Sequence, residues 1–364
     1  MKIIIIGAGV AGLAIAWRMA RNGTEVLVLD RAQPARGATY ASAGMIAVTA
    51  ETAGAATSEA EFALRSRALW PEFAKELEAI SGINISFRED GALIVPASST
   101  EAERLQRQAR GGGAEYLTRK ETLARAPMLA PDIEGALWAP RDAQVDNRAL
   151  GPALTNAAIR AGAKLSANEA AVRVEQGASG ELVVLSAFRI HRADAVVLAA
   201  GAWSGQIGGL AENLPIRPVK GEMLALAPPA PNALPVPLLW GHGIYLVPRN
   251  DQLFVGATVE EAGFDTGLSN GARRWLLERA QALVPCLRDW PIREHWAGLR
   301  PGTADGLPII GETGTPGLFL AGGQYRNGIL FAPALAEAVE RLINKQKVAD
   351  EIAAFSPGRF DRPV

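Results

Sequence analysis

The chain opens on four consecutive isoleucines, Ile3 to Ile6, with no polar position between them. A β-branched run that short predicts a strand buried on both faces, as in a parallel sheet. Residues 10–22 carry small and apolar side chains and predict a helix ended by Gly23, and Glu25 to Leu29 predicts the next strand. Together they form a βαβ unit of about 30 residues. Residues 59–80 place Phe62, Leu64, Leu69, Phe73 and Leu77 roughly along one stripe and predict a long amphipathic helix. Residues 84–95 alternate like strands around a turn at Asp90-Gly91, and 100–110 and 119–125 predict short helices. A further amphipathic helix is predicted over 147–161, then a strand over 170–175 with a hairpin partner at 181–187. Asp194 to Ala200 reads as another buried strand, ending at Gly201. The segment 213–258 mixes prolines with alternating apolar residues and predicts antiparallel sheet. Residues 270–284 predict a helix, Gly317 to Ala321 a last buried strand, and about 328–343 a last helix. Past about 355, Pro357, Gly358 and Pro363 predict a frayed tail.

Parallel-type strands therefore cluster near residues 3, 25, 194 and 317, with antiparallel material between them. That order predicts an α/β protein with a Rossmann-type dinucleotide-binding domain and an inserted mixed or antiparallel-sheet substrate domain of α+β type. The first domain is expected to be discontinuous, over 1–80, 141–212 and 296–350, and the second to take 81–140 and 213–295.

Composition narrows the function classes. The 364 residues are 49% apolar and 21% charged, as in soluble globular proteins, and suffice for a substantial core. The net charge of −1, from 37 basic and 38 acidic residues, gives no footprint for nucleic acid or an anionic membrane. The basic stretch Arg104 to Arg110 reads as a solvated helix face. No run approaches the ~18 apolar residues of a membrane span. The isoleucine run breaks at once into Gly7-Ala8-Gly9, which argues against a signal peptide. The single cysteine, Cys286, excludes an intramolecular disulfide and fits a reducing, cytoplasmic setting. Its Leu-Val-Pro-Cys-Leu context predicts a core position. With only His191, His242 and His295 besides, no metal site is expected.

Three segments carry chemistry. Gly7-Ala8-Gly9-Val10-Ala11-Gly12 follows a predicted strand and opens a helix, and Asp30 ends the next strand. In a dinucleotide fingerprint, Gly7 permits the tight turn, Gly9 admits a pyrophosphate, Gly12 lets the helix pack on the strand, and Asp30 accepts ribose hydroxyls. The motif alone leaves NAD and FAD both open. The second segment, Ala195 to Ser204, ends its strand in small residues at Gly201, where backbone can pass close to a cofactor. The third runs from Trp296 through Gly298-Leu299-Arg300-Pro301-Gly302 to Gln324-Tyr325-Arg326-Asn327-Gly328-Ile329-Leu330. It sets two arginines beside glycine turns, the second at a helix start whose positive end can stabilise a reduced flavin. An arginine between apolar residues, like Arg300, reads as an anion partner.

With these segments the chain resembles the glycine oxidases of the D-amino-acid oxidase superfamily, FAD enzymes often linked to thiamine thiazole synthesis. The landmarks are the N-terminal fingerprint, Ala41-Ser42-Ala43-Gly44-Met45, Pro218 to Glu222, Tyr245 to Arg249, Gly298 to Gly302 and Tyr325 to Ile329. The resemblance implies noncovalent FAD, a small amino-acid substrate and molecular oxygen. It implies that Arg300 pairs with the substrate carboxylate, that Tyr245 hydrogen-bonds it, and that Arg326 and Met45 stand beside the substrate. Val10, Ala11, Asp30, Arg31, Ala38 and Thr39 match cofactor contacts, Ala43, Gly44 and Met45 the loop over the flavin ring, and Ala171 an adenine contact. Gln324, Tyr325, Asn327, Gly328, Ile329 and Leu330 match the flavin side of the last helix. The expected reaction takes the amino acid to an imine, then to glyoxylate or a keto acid, with ammonia and hydrogen peroxide. Three departures bear on the amine side: Gln324 and Gly243 stand where relatives have histidine, and Val259 where a relative has methionine. A D-amino-acid or sarcosine oxidase, a dehydrogenase and a non-catalytic flavin module are the alternatives. The oligomeric state stays open, a homo-oligomer included.

Overall fold

The computed structural model describes residues 1–52, 57–210, 214–230, 234 and 237–360. The strand Lys2–Ile6 sits inside a six-stranded sheet, parallel to Glu25–Leu29 on one side and Ala195–Leu198 on the other. Lys164–Ser166 closes one edge, and Leu318–Gly322 followed by the antiparallel Ile309–Glu312 closes the other. Alternation explains the isoleucine run. Ile3 and Ile5 pack into a layer built by the helices Val10–Arg21, Ser58–Ser81, Asn147–Arg160 and Gly328–Ile343. Ile4 and Ile6 pack the other way, under a four-stranded sheet that includes Ala171–Gln176 and Leu182–Ser186. Both faces are covered, so every position is apolar.

The second sheet has eight strands in the order Ile292–Thr303, Ile216–Leu226, Gln252–Gly256, Ile244–Arg249, Leu238–Gly241, Ala92–Ile94, Gly135–Ala139 and Glu115–Thr118. It is mixed: Ala92–Ile94 runs parallel to Leu238–Gly241, and the other pairs are antiparallel. The α/β class with a Rossmann-type sheet and a mixed second sheet is thus what the chain adopts. Strand Ile292–Thr303 belongs wholly to the second sheet and runs across the boundary expected at 296.

Local expectations fail where tertiary contacts decide. Leu64 is 42% exposed, because the buried face of Ser58–Ser81 follows Phe62, Ser66, Trp70 and Leu77, and Leu64 lies well round the helix from it. Residues 84–91 make only a bridge from Arg88 to Gln144 before the strand Ala92–Ile94. Cys286 is exposed, because Leu287 is the residue that the turn Pro285–Asp289 buries. Pro357–Phe360 forms a 3-10 turn, and Arg359 Nε donates to Asp305 Oδ2 at 2.7 Å, so the segment is held up to Phe360. The rest of the expected tail, 361–364 with Pro363, lies outside the described residues, as do 213, 231–233 and 235–236 of the proline-rich segment. Among the described residues, no helix is long and apolar enough to cross a membrane.

One interior proline helps to place the site. Pro333 in the helix Gly328–Ile343 cannot donate to the Ile329 carbonyl, which loosens the first turns. The neighbouring Leu330 carbonyl accepts from Ser66 Oγ at 2.6 Å and Trp70 Nε1 at 3.0 Å. The helix start is thereby pinned to Ser58–Ser81.

Candidate functional site

A cavity of about 540 Å³ runs from the carboxyl ends of the parallel strands to the face of the eight-stranded sheet, which is ample for an organic cofactor site. Gly7 forms its floor with φ +109°, where a Cβ would strike the Ala199 carbonyl. The helix Val10–Arg21 starts on Gly9 with no side-chain cap, leaving its N-terminal amides for an anion. Val10 N does donate to Thr39 Oγ1 at 2.9 Å, which ties the loop carrying Ala38 and Thr39 to the helix start. Asp30 accepts from Ala8 N at 2.6 Å and Ala32 N at 2.8 Å, and burial pushes its carboxyl up despite these bonds. Each oxygen keeps a second lone pair for a ribose hydroxyl. At the outer rim, Arg31 lies 3.8 Å from the Trp203 ring centroid, and Phe264 packs on Trp203 at 5.7 Å.

A second helix start faces the same cavity. Asn327 turns its side chain away to Glu59 at 3.1 Å, so the helix Gly328–Ile343 has no side-chain cap. Beside it, Gln324 is buried and its Nε2 has no partner among the described residues. A buried amide without a partner is costly unless a ligand supplies one. Two uncapped helix starts, the glycine floor and this orphan donor together fit a dinucleotide carrying a polar ring.

The candidate cofactor residues line this cavity with two exceptions. Gly12 stands behind the wall, where a side chain would strike the Gly7 carbonyl, so it serves helix packing. Leu330 is buried, and its carbonyl is taken by Ser66 and Trp70.

The other end of the cavity carries Tyr245 and Arg300. Both depend on missing side chains. The Arg300 guanidinium lies over Gly221 and the Tyr245 ring over Gly256, and a Cβ at either glycine would overlap them. Arg300 Nη1 donates to the carbonyls of Thr258 at 3.1 Å and Lys220 at 3.3 Å. Among the described residues, no carboxylate lies within ion-pair distance of Arg300. Burial raises the Tyr245 phenol, with the charges of Arg300 and Arg326 opposing, and its hydroxyl sits 3.8 Å from Met223 Sδ.

Arg326 differs. Its Nε and Nη2 lie 3.1 and 3.0 Å from Glu51 Oε1, and its guanidinium is 5.6 Å from the Trp240 ring. Burial pushes the Glu51 carboxyl up, with Arg326 pulling it back. Sequence reasoning missed Glu51, Met223, Gly221 and Gly256. Nothing in Val48-Thr49-Ala50-Glu51 marks the carboxylate as a site residue, because its partner is 275 positions away. Conversely, Val259 is 56% exposed, and neither it nor Gly243 lines the cavity. Met45, Glu51, Met223 and Arg326 do line it.

Asp142 holds the short helix that carries Glu51. It is fully buried and accepts from Thr49 N at 2.8 Å and Ala50 N at 3.3 Å. Burial, opposed by those bonds, pushes its carboxyl from 3.8 up to about 6. A carboxyl raised in the fold stabilises most below its unfolded value and loses that advantage as pH climbs through the folded value. The stability of wild type relative to Asp142→Asn is therefore expected to fall by on the order of 3 kcal/mol between about pH 4 and pH 7. Urea unfolding of the FAD-loaded proteins measures it, and a pH-independent difference would show that Asp142 does not titrate there.

Comparison with known proteins gives a family model described as FAD dependent oxidoreductase, matching residues 2–342. The chain is 38% identical to the bifunctional protein ThiO/ThiG of Trichormus variabilis over 99% of its own length and 55% of that protein's. It thus spans about half the length of that relative. It is 35% identical to the glycine oxidase of Geobacillus kaustophilus, over 97% of this chain and 96% of that one. The crystal structure of glycine oxidase from that organism superposes with a TM-score of 0.93 at 34% identity, covering 98% and 99% of the two chains.

Proposed function

This chain belongs to the FAD-dependent oxidoreductase family, and from that premise we propose that it oxidises the carbon–nitrogen bond of glycine or a comparably small amino acid. The observation that carries the proposal is Arg300, a guanidinium that donates to main-chain carbonyls and, among the described residues, has no carboxylate partner, at the far end of a cavity that begins on a dinucleotide loop. Such a group is matched by a ligand carboxylate, bound through two parallel charge-assisted hydrogen bonds. Tyr245 presents its hydroxyl to the same carboxylate. Glu51 neutralises Arg326, so one carboxylate, not two, is what this end of the cavity is charged to accept. Met45 and Met223 line the same cavity as Tyr245 and Arg300 and give it apolar wall. FAD, held by the Gly7–Ala11 loop, Asp30 and the start of Gly328–Ile343, supplies the two-electron acceptor for the hydride on Cα. The chain's own task is orientation and exclusion of water. No side-chain base is required when the amine arrives neutral.

The products on this reading are glyoxylate or a keto acid, ammonia and, with oxygen as acceptor, hydrogen peroxide. Kinship with ThiO/ThiG supports a place in thiamine thiazole synthesis. Cys286 lies on an exposed turn and outside the cavity lining, which supports noncovalent FAD. The two sheets support a division into a discontinuous FAD-binding domain and a substrate-binding domain, with residues up to Thr303 on the substrate side.

The test is a panel. The purified protein is expected to be yellow and to form peroxide from glycine faster than from sarcosine, D-alanine or D-proline. A colourless protein that takes up no FAD would end the proposal. Flavin reduced by glycine but reoxidised only by a quinone would make the chain a dehydrogenase.

A further inference from the structure

We propose that Lys220 and Glu222 are positioning residues for Arg300, acting from the opposite face of the sheet through two main-chain carbonyls; this rests on Arg300 being the carboxylate anchor. The strands Ile216–Leu226 and Ile292–Thr303 pair with Val219 opposite Arg300, Lys220 opposite Leu299 and Gly221 opposite Gly298. Paired residues share a face and successive ones alternate. Val219, Gly221 and Met223 therefore stand on the side of Arg300, and Lys220 and Glu222 stand behind. Neither of the latter lines the cavity.

Behind the sheet the two form a buried polar network. Lys220 is 4% exposed and Glu222 0%. Lys220 Nζ lies 2.9 Å from Glu222 Oε1 and 3.5 Å from Glu260 Oε2, and donates to the Gly267 carbonyl. Glu222 also meets His295 Nε2 at 2.8 Å and accepts from the Ser269 amide at 3.1 Å. A buried ion pair adds little net stability, because desolvation offsets the attraction. What this one fixes is the path of the chain after Gly256.

Gly256 pairs with Met223, yet the bridge to Lys220 is made by Glu260 rather than Val259. One extra residue is accommodated between the two, a β-bulge. The network ties this bulge down. Thr258 Oγ1 accepts from Glu222 N at 2.9 Å and donates to Glu260 Oε1 at 2.7 Å, and Thr258 N donates to the Glu222 carbonyl at 3.2 Å. The Thr258 carbonyl is thereby turned onto Arg300 Nη1, next to the Lys220 carbonyl. Both acceptors that aim the guanidinium are set by the one network.

The test uses holoenzyme and two variants. Lys220→Met removes the cation. Lys220→Met with Glu222→Gln removes both charges, so that no ion is left buried alone. Each is expected to raise KM for glycine and the Kd of acetate, read from the flavin spectrum, by about tenfold, with kcat and FAD content within about threefold. In an Arg300→Ala background the same changes are expected to leave kcat/KM within about twofold, since nothing remains to be positioned. A general structural role would instead give the same loss in both backgrounds. That additivity, or an unchanged KM in the double variant, would overturn the proposal. An unchanged KM in Arg300→Ala alone would overturn the anchor reading beneath it.

Discussion

Replacing Arg300 with alanine is expected to raise the KM for glycine at least about 100-fold while FAD stays bound. Truncating one partner of a buried, hydrogen-bonded charge pair costs about 2–5 kcal/mol, and each 1.4 kcal/mol is roughly tenfold in binding. Arg300 stands at the upper part of that range. It has no competing carboxylate to release among the described residues, and its site was shaped for it by Gly221. Arg326 cannot take over, because Glu51 already holds it. Steady-state kinetics on glycine measures the effect, with the visible spectrum reporting flavin content. A KM within about threefold of wild type would remove Arg300 from the carboxylate role.

The other large effect belongs to Gly7. Alanine there must adopt a φ of +109° and place its Cβ against the Ala199 carbonyl, which is main chain of a buried strand end and cannot step aside. The left-handed conformation alone costs about 1–2 kcal/mol, and the overlap adds to it. The loop must move, and its amides leave the pyrophosphate position. FAD affinity is expected to fall at least about 100-fold, so that about 100-fold more FAD is needed for the same rise in melting temperature. Gly23→Ala is the control. That glycine also has a positive φ, +84°, but a Cβ there meets nothing. It is expected to lower stability by about 1 kcal/mol and leave FAD affinity unchanged. Equal FAD affinity in wild type and Gly7→Ala would contradict the assignment of this loop.

Local chemistry made part of this legible in the sequence. Four β-branched residues in a row favour a strand covered on both faces, and they occupy one with alternate side chains in two different layers. The Gly7–Gly12 turn and Asp30 were legible for the same reason, since the turn, the helix and the acidic strand end fall within 30 residues. Arg300 stood out only as an arginine among apolar neighbours. The remainder was written in pairings between distant positions. Glu51 finds Arg326, Asp142 finds Thr49, and Lys220 finds Gly267 only once the chain has folded. Leu64 and Cys286 misled because apolar context in the chain says nothing of which side a helix or turn presents to the core. Val259 misled differently. A one-residue bulge shifts the register beside it, and the side chain points to solvent.

The central claim is that Arg300 and the flavin loop serve one reaction on one small amino acid. Anaerobic addition of glycine to the FAD-loaded protein tests it most directly, with the visible flavin absorbance as readout. Full bleaching at saturating glycine is expected for wild type, and for Arg300→Ala only at concentrations at least about 100-fold higher. Flavin that glycine leaves oxidised in wild type, or bleaching at the same concentration in both proteins, would contradict the account.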